Sequence, residues 1–366
     1  MQPKHIQNGF SLIELMISLT LGLLISAAVM QVYLTSIKTS SIQSGGSDIL
    51  EASIFGIQNI EKSIRLSNLG MADSNNPLTP LAGVVMTSDT SLVNAAQTDK
   101  SKNNMNGIKM GGTKSAAGSL DITDQYLTKS GFQNSNIVDI KSSQLTIQYE
   151  APQDMYDCEG TLVRGPIEID RDGRLEMIPG QVIIQRYFLS EIAQGDKANY
   201  ESNIKSYELR CDAGRYVKEN LSPAELGLQK INDSTILQDS RNIRDFGDVG
   251  EVIIPRVDHF DVLLGVEVVN TLTPSVALRY FTPEQYMSFL KGLAANSSIT
   301  TDIISVKLSA LVRAERPLTG EAGSSQFEIF GVKRALSSNT SNAFIRRVYE
   351  SNIMLRNSRA IKESAI

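Results

Sequence analysis

Residues 9–37 read GFSLIELMISLTLGLLISAAVMQVYLTSI. No charged side chain occurs between Glu14 and Lys38, so Leu15 to Ile37 form a run of 23 uncharged, mostly apolar residues. At 1.5 Å per residue, a helix of this run is about 35 Å long, against a hydrocarbon core of about 30 Å. It holds one glycine and no proline, and it reads as a transmembrane helix. Two readings compete. One is a cleaved secretory signal, with Lys4 as its basic region and Ser26-Ala27-Ala28 near a cleavage site; the other is an ordinary signal anchor. Both leave Glu14 unexplained, because a carboxylate inside an apolar span costs about 2.5–3.5 kcal/mol near its centre and less near an end.

Outward from this run, the first nine residues are polar and the remainder has the composition of a folded protein, with 41% hydrophobic and 20% charged residues in 366. The formal net charge of −5 offers nucleic acid and anionic lipid no overall attraction. The nearest basic strip, Arg346-Arg347 with Arg356 and Arg359, reads as edge-strand or surface charge. The chain has two cysteines, Cys158 and Cys211, and two histidines, His5 and His259, too few for the usual four-ligand zinc site. It contains no Gly-rich phosphate loop, nucleophile elbow or His-Glu-x-x-His helix, so no enzyme, cofactor or metal is expected.

The stretch Gly9-Phe10-Ser11-Leu12-Ile13-Glu14-Leu15-Met16 resembles the class III signal of type IV pilins and type II secretion pseudopilins. The resemblance implies removal of residues 1–9 by a prepilin peptidase cutting after Gly9, methylation of the new amine on Phe10, and a docking role for the carboxylate of Glu14. Further along, Asp157-Cys158-x-Gly160, Gln185-Arg186-Tyr187-Phe188 and Leu209-Arg210-Cys211-Asp212 resemble PilW-type minor pilins. So do Val262-Leu263-Leu264-Gly265-Val266 and Arg346-Arg347-Val348-Tyr349 with Ile353-x-Leu355-Arg356-Asn357. The chain departs from that pattern in the length between the helix and Cys158, which suggests an insertion. The resemblance implies a minor pilin of the bacterial inner membrane with a periplasmic C-terminal domain. Such a subunit joins other minor pilins and the major pilin through its helix, and primes assembly at the fibre tip. A large pseudopilin of a type II secretion system shares the same features, and a tip adhesin or DNA-uptake subunit is the rival of another class. A membrane-tethered enzyme is disfavoured by the missing catalytic constellation.

The expected fold is α+β and type IV pilin-like: a long N-terminal helix packed on an antiparallel sheet, with large β-rich additions. Residues 10–37 form the transmembrane and assembly helix and 38–68 its amphipathic continuation. Gly45-Gly46 should weaken or bend it, and Asp48 with Glu51 gives a cap-like pair before a second run. Leu50, Ile54, Ile57, Ile60 and Ile64 then recur at helical spacing as one core-facing stripe. Residues 69–120, rich in Ser, Asn, Gly, Thr and Asp, read as an irregular excursion with one short strand near Val84-Val85-Met86. Residues 121–366 read as the β-rich domain, with strands at Leu145–Tyr149, Gly180–Leu189, Ser206–Arg210, Val252–Ile254, Phe260–Val266, Ile303–Val312, Phe327–Phe330 and Phe344–Leu355. Asp172-Gly173 signals a hairpin turn, and Thr282–Ala294 a short helix capped by Thr282 with Pro283 in first place.

In a periplasmic domain, two cysteines favour a Cys158–Cys211 disulfide, with two buried thiols as the alternative. Glu168-x-Asp170-x-Asp172-Gly173 mimics half a calcium loop, but Pro179 stands where a bidentate Glu is required. Glu176 leaves room for a looser calcium site, and the hairpin turn is the preferred reading. His259, between Asp258 and Asp261, reads as a surface or edge-strand histidine with no nucleophile nearby. Processing at Gly9 has a direct check. The intact mass of the mature protein should equal residues 10–366 plus one methyl group, whereas a chain starting near Ala28 or Val29 would mark an ordinary signal peptide.

Overall fold

A single helix, α1 (Leu12–Leu66), carries the chain from its apolar segment into the β-rich domain. The computed structural model describes residues 11–86, 104–105, 108–110, 120–122, 124–171, 173–218, 242–273, 275–293, 298–318, 323–338 and 340–358. Helix α1 passes through Gly45-Gly46 and Asp48 unbroken, so the cap-like pair Asp48 and Glu51 marks no new helix start. Gly45 is buried because α1 first meets the domain at this point; a Cβ there would touch Ile345 and Ala314. The domain replaces the stabilisation that two glycines remove.

The buried face of α1 also differs from the expected stripe. Ile49, Ile57, Ile60 and Ile64 are buried, while Leu50 and Ile54 are exposed. At about 100° per residue, Gly45, Ile49, Gly56, Ile57, Ile60 and Ile64 fall within an arc of about 120°, and Ile54 lies about 60° beyond it. The stripe is therefore anchored by two glycines that hydropathy does not count. Gly56 is indispensable to it: a Cβ there would stand 2.2 Å from Ile254 Cγ1 and 2.9 Å from the Ile253 carbonyl oxygen.

The two largest sheets of the domain are antiparallel. The first is a meander of β1 (Lys129–Gln133), β2 (Ser142–Glu150), β3 (Val182–Glu191), β4 (Tyr207–Tyr216) and β5 (Glu251–Ile254), paired in chain order. The second comprises β6 (Val257–Asn270), β7 (Ser275–Phe281), β8 (Ile299–Arg313) and β9 (Arg346–Met354), in the order β7-β6-β8-β9. Strand β6 packs across β2, β3 and β4, and α1 lies over β5, β8 and β9, covering the seam between the two sheets. Helix α2 (Pro283–Gly292) follows β7 and is capped by Thr282, with Pro283 in first place. The hairpin Ile167–Arg171/Arg174–Ile178 forms as expected, with Gly173 at φ +79° in its turn.

Strands β2 and β3 are buried along nearly their whole lengths, which requires cover on both faces. On one face Leu145, Ile147 and Tyr149 join the core that includes Ile57, Ile60 and Ile64 of α1. On the other, irregular chain lies against the sheet, and the alternating polar residues satisfy its carbonyls. Gln144 Nε2 donates to the oxygens of Gln125 and Leu127, Thr146 Oγ1 to Tyr126, and Gln148 Nε2 to Ala82. The excursion after α1 thus enters the core where it is described: Ala82, Val84, Val85, Met105 and Ile108 are all buried. The expected strand at Val84-Val85-Met86 is a single bridge, Val84 to Ile147.

Cys158 and Cys211 form a disulfide with Cα atoms 6.2 Å apart. Closing a loop of this length stabilises by about 4 kcal/mol in the chain-entropy view. The two glycines of α1 make opposite predictions. Gly46 has open space around it, so Gly46→Ala should stabilise the domain by about 0.5–1 kcal/mol through helix propensity. Gly56→Ala forces α1 away from the seam and should destabilise by about 1–3 kcal/mol despite the same propensity gain. Melting of the two variants in detergent checks both signs.

Candidate functional site on the N-terminal helix

The first turn of α1 is closed by a capping box: the Glu14 N–H donates to Ser11 Oγ at 3.2 Å, and the Ser11 N–H donates to Glu14 Oε2 at 3.1 Å. A carboxylate in this position also meets the positive end of the helix dipole. The sequence-expected processing residues Gly9 and Phe10 lie outside the described residues. Every residue from Ser11 to Ile37 is exposed, so this half of α1 receives no cover from the domain. The helix is long and apolar enough to cross a membrane. Several of its hydroxyls are folded back: Ser18 donates to the Glu14 carbonyl, Ser26 to Gly22 and Thr35 to Gln31, so these three present no unsatisfied donor to an apolar medium.

In the domain, pairing of Cys158 with Cys211 brings their neighbours Glu159 and Asp212 together, and Asp248 completes a group of carboxylates whose oxygens lie within 4.8 Å of one another. These three residues have the donor set for a cation. However, Arg186 Nη2 already stands 2.7 Å from Asp212 Oδ2, and the Gly247 N–H donates to the same carboxylate. Burial, then Asp248, push the Glu159 carboxyl up to about 8, while the Ala213 N–H acts against them. Burial likewise moves Asp212 up to about 6, against the opposing pull of Arg186. The sequence reading missed this cluster. Its readable signal was an acid following each cysteine.

A second polar cluster lies inside the domain. Glu201, fully buried, accepts from Ser206 Oγ, Arg313 and Arg256; against the burial that would raise it, Arg313, Arg256 and the Ala198 N–H hold its carboxyl below the ordinary range. Asp258 accepts from Arg346 Nε at 2.6 Å and Asn136 Nδ2 at 2.6 Å. The guanidinium of Arg313 also stacks on Phe344, 4.2 Å from the ring centroid. Arg346, read from sequence as edge or surface charge, is therefore a buried partner of Asp258, while Arg347 is exposed. Arg359 lies outside the described residues.

His259 also departs from expectation. It is fully buried, and its Nδ1 lies 2.9 Å from Ser135 Oγ and 3.2 Å from Ser142 Oγ. Those oxygens in turn accept the N–H groups of Ile137 and Phe260. The histidine ties the segment before β2, β2 itself and β6 together; it sits inside the sandwich because β6 is flanked on both sides. In the calcium-like stretch, Asp170 Oδ1 accepts the Gly173 N–H at 2.7 Å, which is hairpin-turn geometry.

A membrane-length N-terminal helix with its acid in the first turn, joined to an antiparallel β-rich domain, fits a membrane-anchored pilin-like protein. Residues 4–30 match the family model described as the prokaryotic N-terminal methylation motif. Residues 227–357 match the model described as type IV pilus-assembly protein W, so the chain is similar to PilW-type minor pilins at its C-terminal end and to prepilins at its N-terminus. Among solved structures, a type IV-like pilin from Thermus thermophilus is 12% identical, with 63% of this chain and 84% of that chain covered; its TM-score of 0.23 is too low to bear on the fold. No curated protein matches. The fold and the two matched segments fit a single-pass, membrane-anchored pilin with a structural role.

The carboxylate cluster makes stability depend on pH with a definite sign. The folded chain holds a proton on Glu159 that the unfolded chain releases above about 4.5, so stability should fall as pH rises from about 4.5 to about 8 and level off beyond. Melting temperatures measured from pH 5 to pH 9 should show this decline, and Glu159→Gln should remove its part above about pH 6, where Asp212 no longer contributes.

Proposed function

We propose that this chain is a minor pilin that helps initiate type IV pilus assembly, in a tip complex with other minor pilins. It is held in the bacterial inner membrane by α1, with its β-rich domain in the periplasm. The observation that carries the reading is the division of α1. From Gly45 onward it is built into its own domain, while Ser11 to Ile37 is an apolar surface with no cover of its own, carrying one acid. The likeness of residues 227–357 to type IV pilus-assembly protein W supports the minor-pilin assignment. The prepilin motif supports a prepilin peptidase cutting after Gly9 and methylation of Phe10.

On this reading, Glu14 is the docking carboxylate. One of its oxygens accepts the Ser11 N–H, and no partner for the other occurs among the described residues. In an apolar medium, the amine of an adjacent subunit's first residue can approach that oxygen, so its desolvation is compensated only in one axial register.

Glu14→Gln keeps the shape and removes the charge, and Glu14→Val removes the polarity as well. Both should insert and be cut after Gly9, then fail to recover partner pilins, leaving few fibres. Wild-type fibre numbers with Glu14→Val would exclude an assembly role for the charge. Deleting the gene should nearly abolish surface pili at unchanged major-pilin level, whereas an adhesin would leave fibres abundant.

A further inference from the structure

The second sheet ends on β7, which pairs through Leu264↔Phe281 to Asn270↔Ser275 with β6 on one side only. Among the described residues, no backbone hydrogen bond reaches its other side. The remaining edges of the two main sheets are attended. Strand β9 lies beside α1, where Ser351 Oγ donates to Glu61 Oε1, and the Phe330 N–H donates to Glu350. Strand β5 meets α1 at Gly56, and at β1 the Glu284 N–H of α2 donates to Ser130 Oγ.

Exposed edges are usually blunted by Lys, Pro or a bulge. The seven residues of β7, SVALRYF, contain neither Lys nor Pro, and their register with β6 is unbroken. Val276, Leu278 and Tyr280 alternate onto one face, with exposures of 65, 51 and 38%, and Leu272 in the preceding turn is 80% exposed. Tyr280 is held in place. Its hydroxyl accepts from Asn352 Nδ2 at 3.1 Å, and its ring lies 5.1 Å from Lys307 Nζ. It also crosses Gly265, where a Cβ would stand 3.0 Å from the ring.

We propose that β7 is a docking edge that receives an extended strand from a neighbouring pilin-like subunit; this rests on the minor-pilin reading above. The open groups are main-chain N–H and C=O at alternate residues, which a second strand satisfies in register and a helix does not. The incoming strand should be apolar on the face of Val276, Leu278 and Tyr280, and acidic on the other face, opposite exposed Arg279. A second copy of this chain does not fit. Two-fold antiparallel pairing of β7 with itself turns the molecule about an axis normal to the sheet. That reverses α1, which lies along the sheets, so the two apolar segments could not enter one membrane from the same side.

Residue-resolved hydrogen exchange on the full chain in detergent tests this, alone and co-purified with co-expressed minor prepilins. In the complex, alternate amides of residues 275–281 should slow by about tenfold or more, while they exchange freely in the isolated chain. Leu278→Lys, a change at an exposed position, should melt like wild type and recover at least about fivefold less partner. Slowing already present in the isolated chain, no slowing in the complex, or unchanged recovery with Leu278→Lys would each overturn the docking edge while leaving the minor-pilin reading intact. Failure of the wild-type chain to co-purify with any minor prepilin would remove both.

Discussion

The close approach of α1 to Ile253 and Ile254 at Gly56 is the contact on which the rest of the molecule depends. It lets one helix lie over β5, β8 and β9 at once, so the edge of the first sheet and the far side of the second are closed by a single element. Without that approach, Ile57, Ile60 and Ile64 would stand off from the core they share with Leu145, Ile147 and Tyr149. Toward its N-terminus the same helix leaves the domain, and every residue from Ser11 to Ile37 is exposed. One element thus has two solvents: protein interior from Gly45 onward and, on the reading proposed, lipid or neighbouring helices before it. On that reading, the unbroken hydrogen-bond ladder between the halves transmits the position of the membrane to the domain.

Beneath this seam the protein buries charge. Three guanidiniums, Arg256, Arg313 and Arg346, meet two carboxylates, Glu201 and Asp258. Such groups are not an efficient source of stability, since their desolvation offsets most of their attraction. They do fix orientation. The bonds of Asp258 to Asn136 and Arg346, and of Glu201 to Ser206, Arg256 and Arg313, tie segments from five places in the chain. Removing one partner leaves a buried charge unpaired, so the set enforces one relative placement of the sheets. His259, flanked by two serine hydroxyls, does the same a short distance along β6.

The sequence was most legible where a single physical rule governs several residues in a row. The charge-free run after Glu14, the Pro-led helix at Pro283 and the hairpin at Gly173 are all of this kind. So are the long apolar strands β6 and β8, though both extend beyond the expected limits because cross-strand pairing carries them past their apolar centres. Legibility failed where tertiary contact supplied what the local sequence lacked. Lys129–Gln133 and Val332–Ala335 are strands too polar to announce themselves, and each is made by its partner. Leu50 and Ile54 look like core, yet the helix face is set by glycines that carry no hydropathy. Arg346 and His259 look like surface residues because nothing nearby in sequence hints at Asp258 turning inward or at Ser135 and Ser142 arriving from far along the chain.

The contrast between the two ends of the second sheet follows from the same logic. Strand β9 is covered because α1 must lie somewhere to bury its isoleucine face, and the seam is where both sheets offer apolar side chains. Among the described residues, no second helix is long enough to cover the opposite end. Helix α2 is spent beneath β7 rather than beside it, with Tyr286 stacked on Phe281 and bonded to Thr301. It thickens the sheet without closing its edge. A fold of this kind, with one long helix committed to the membrane side, therefore leaves its distal strand with unpaired main-chain groups. Solubility must then come from the residues around that strand or from a neighbour. Here the strand itself is apolar and carries a single arginine, which is why a neighbouring strand is the cover proposed for it.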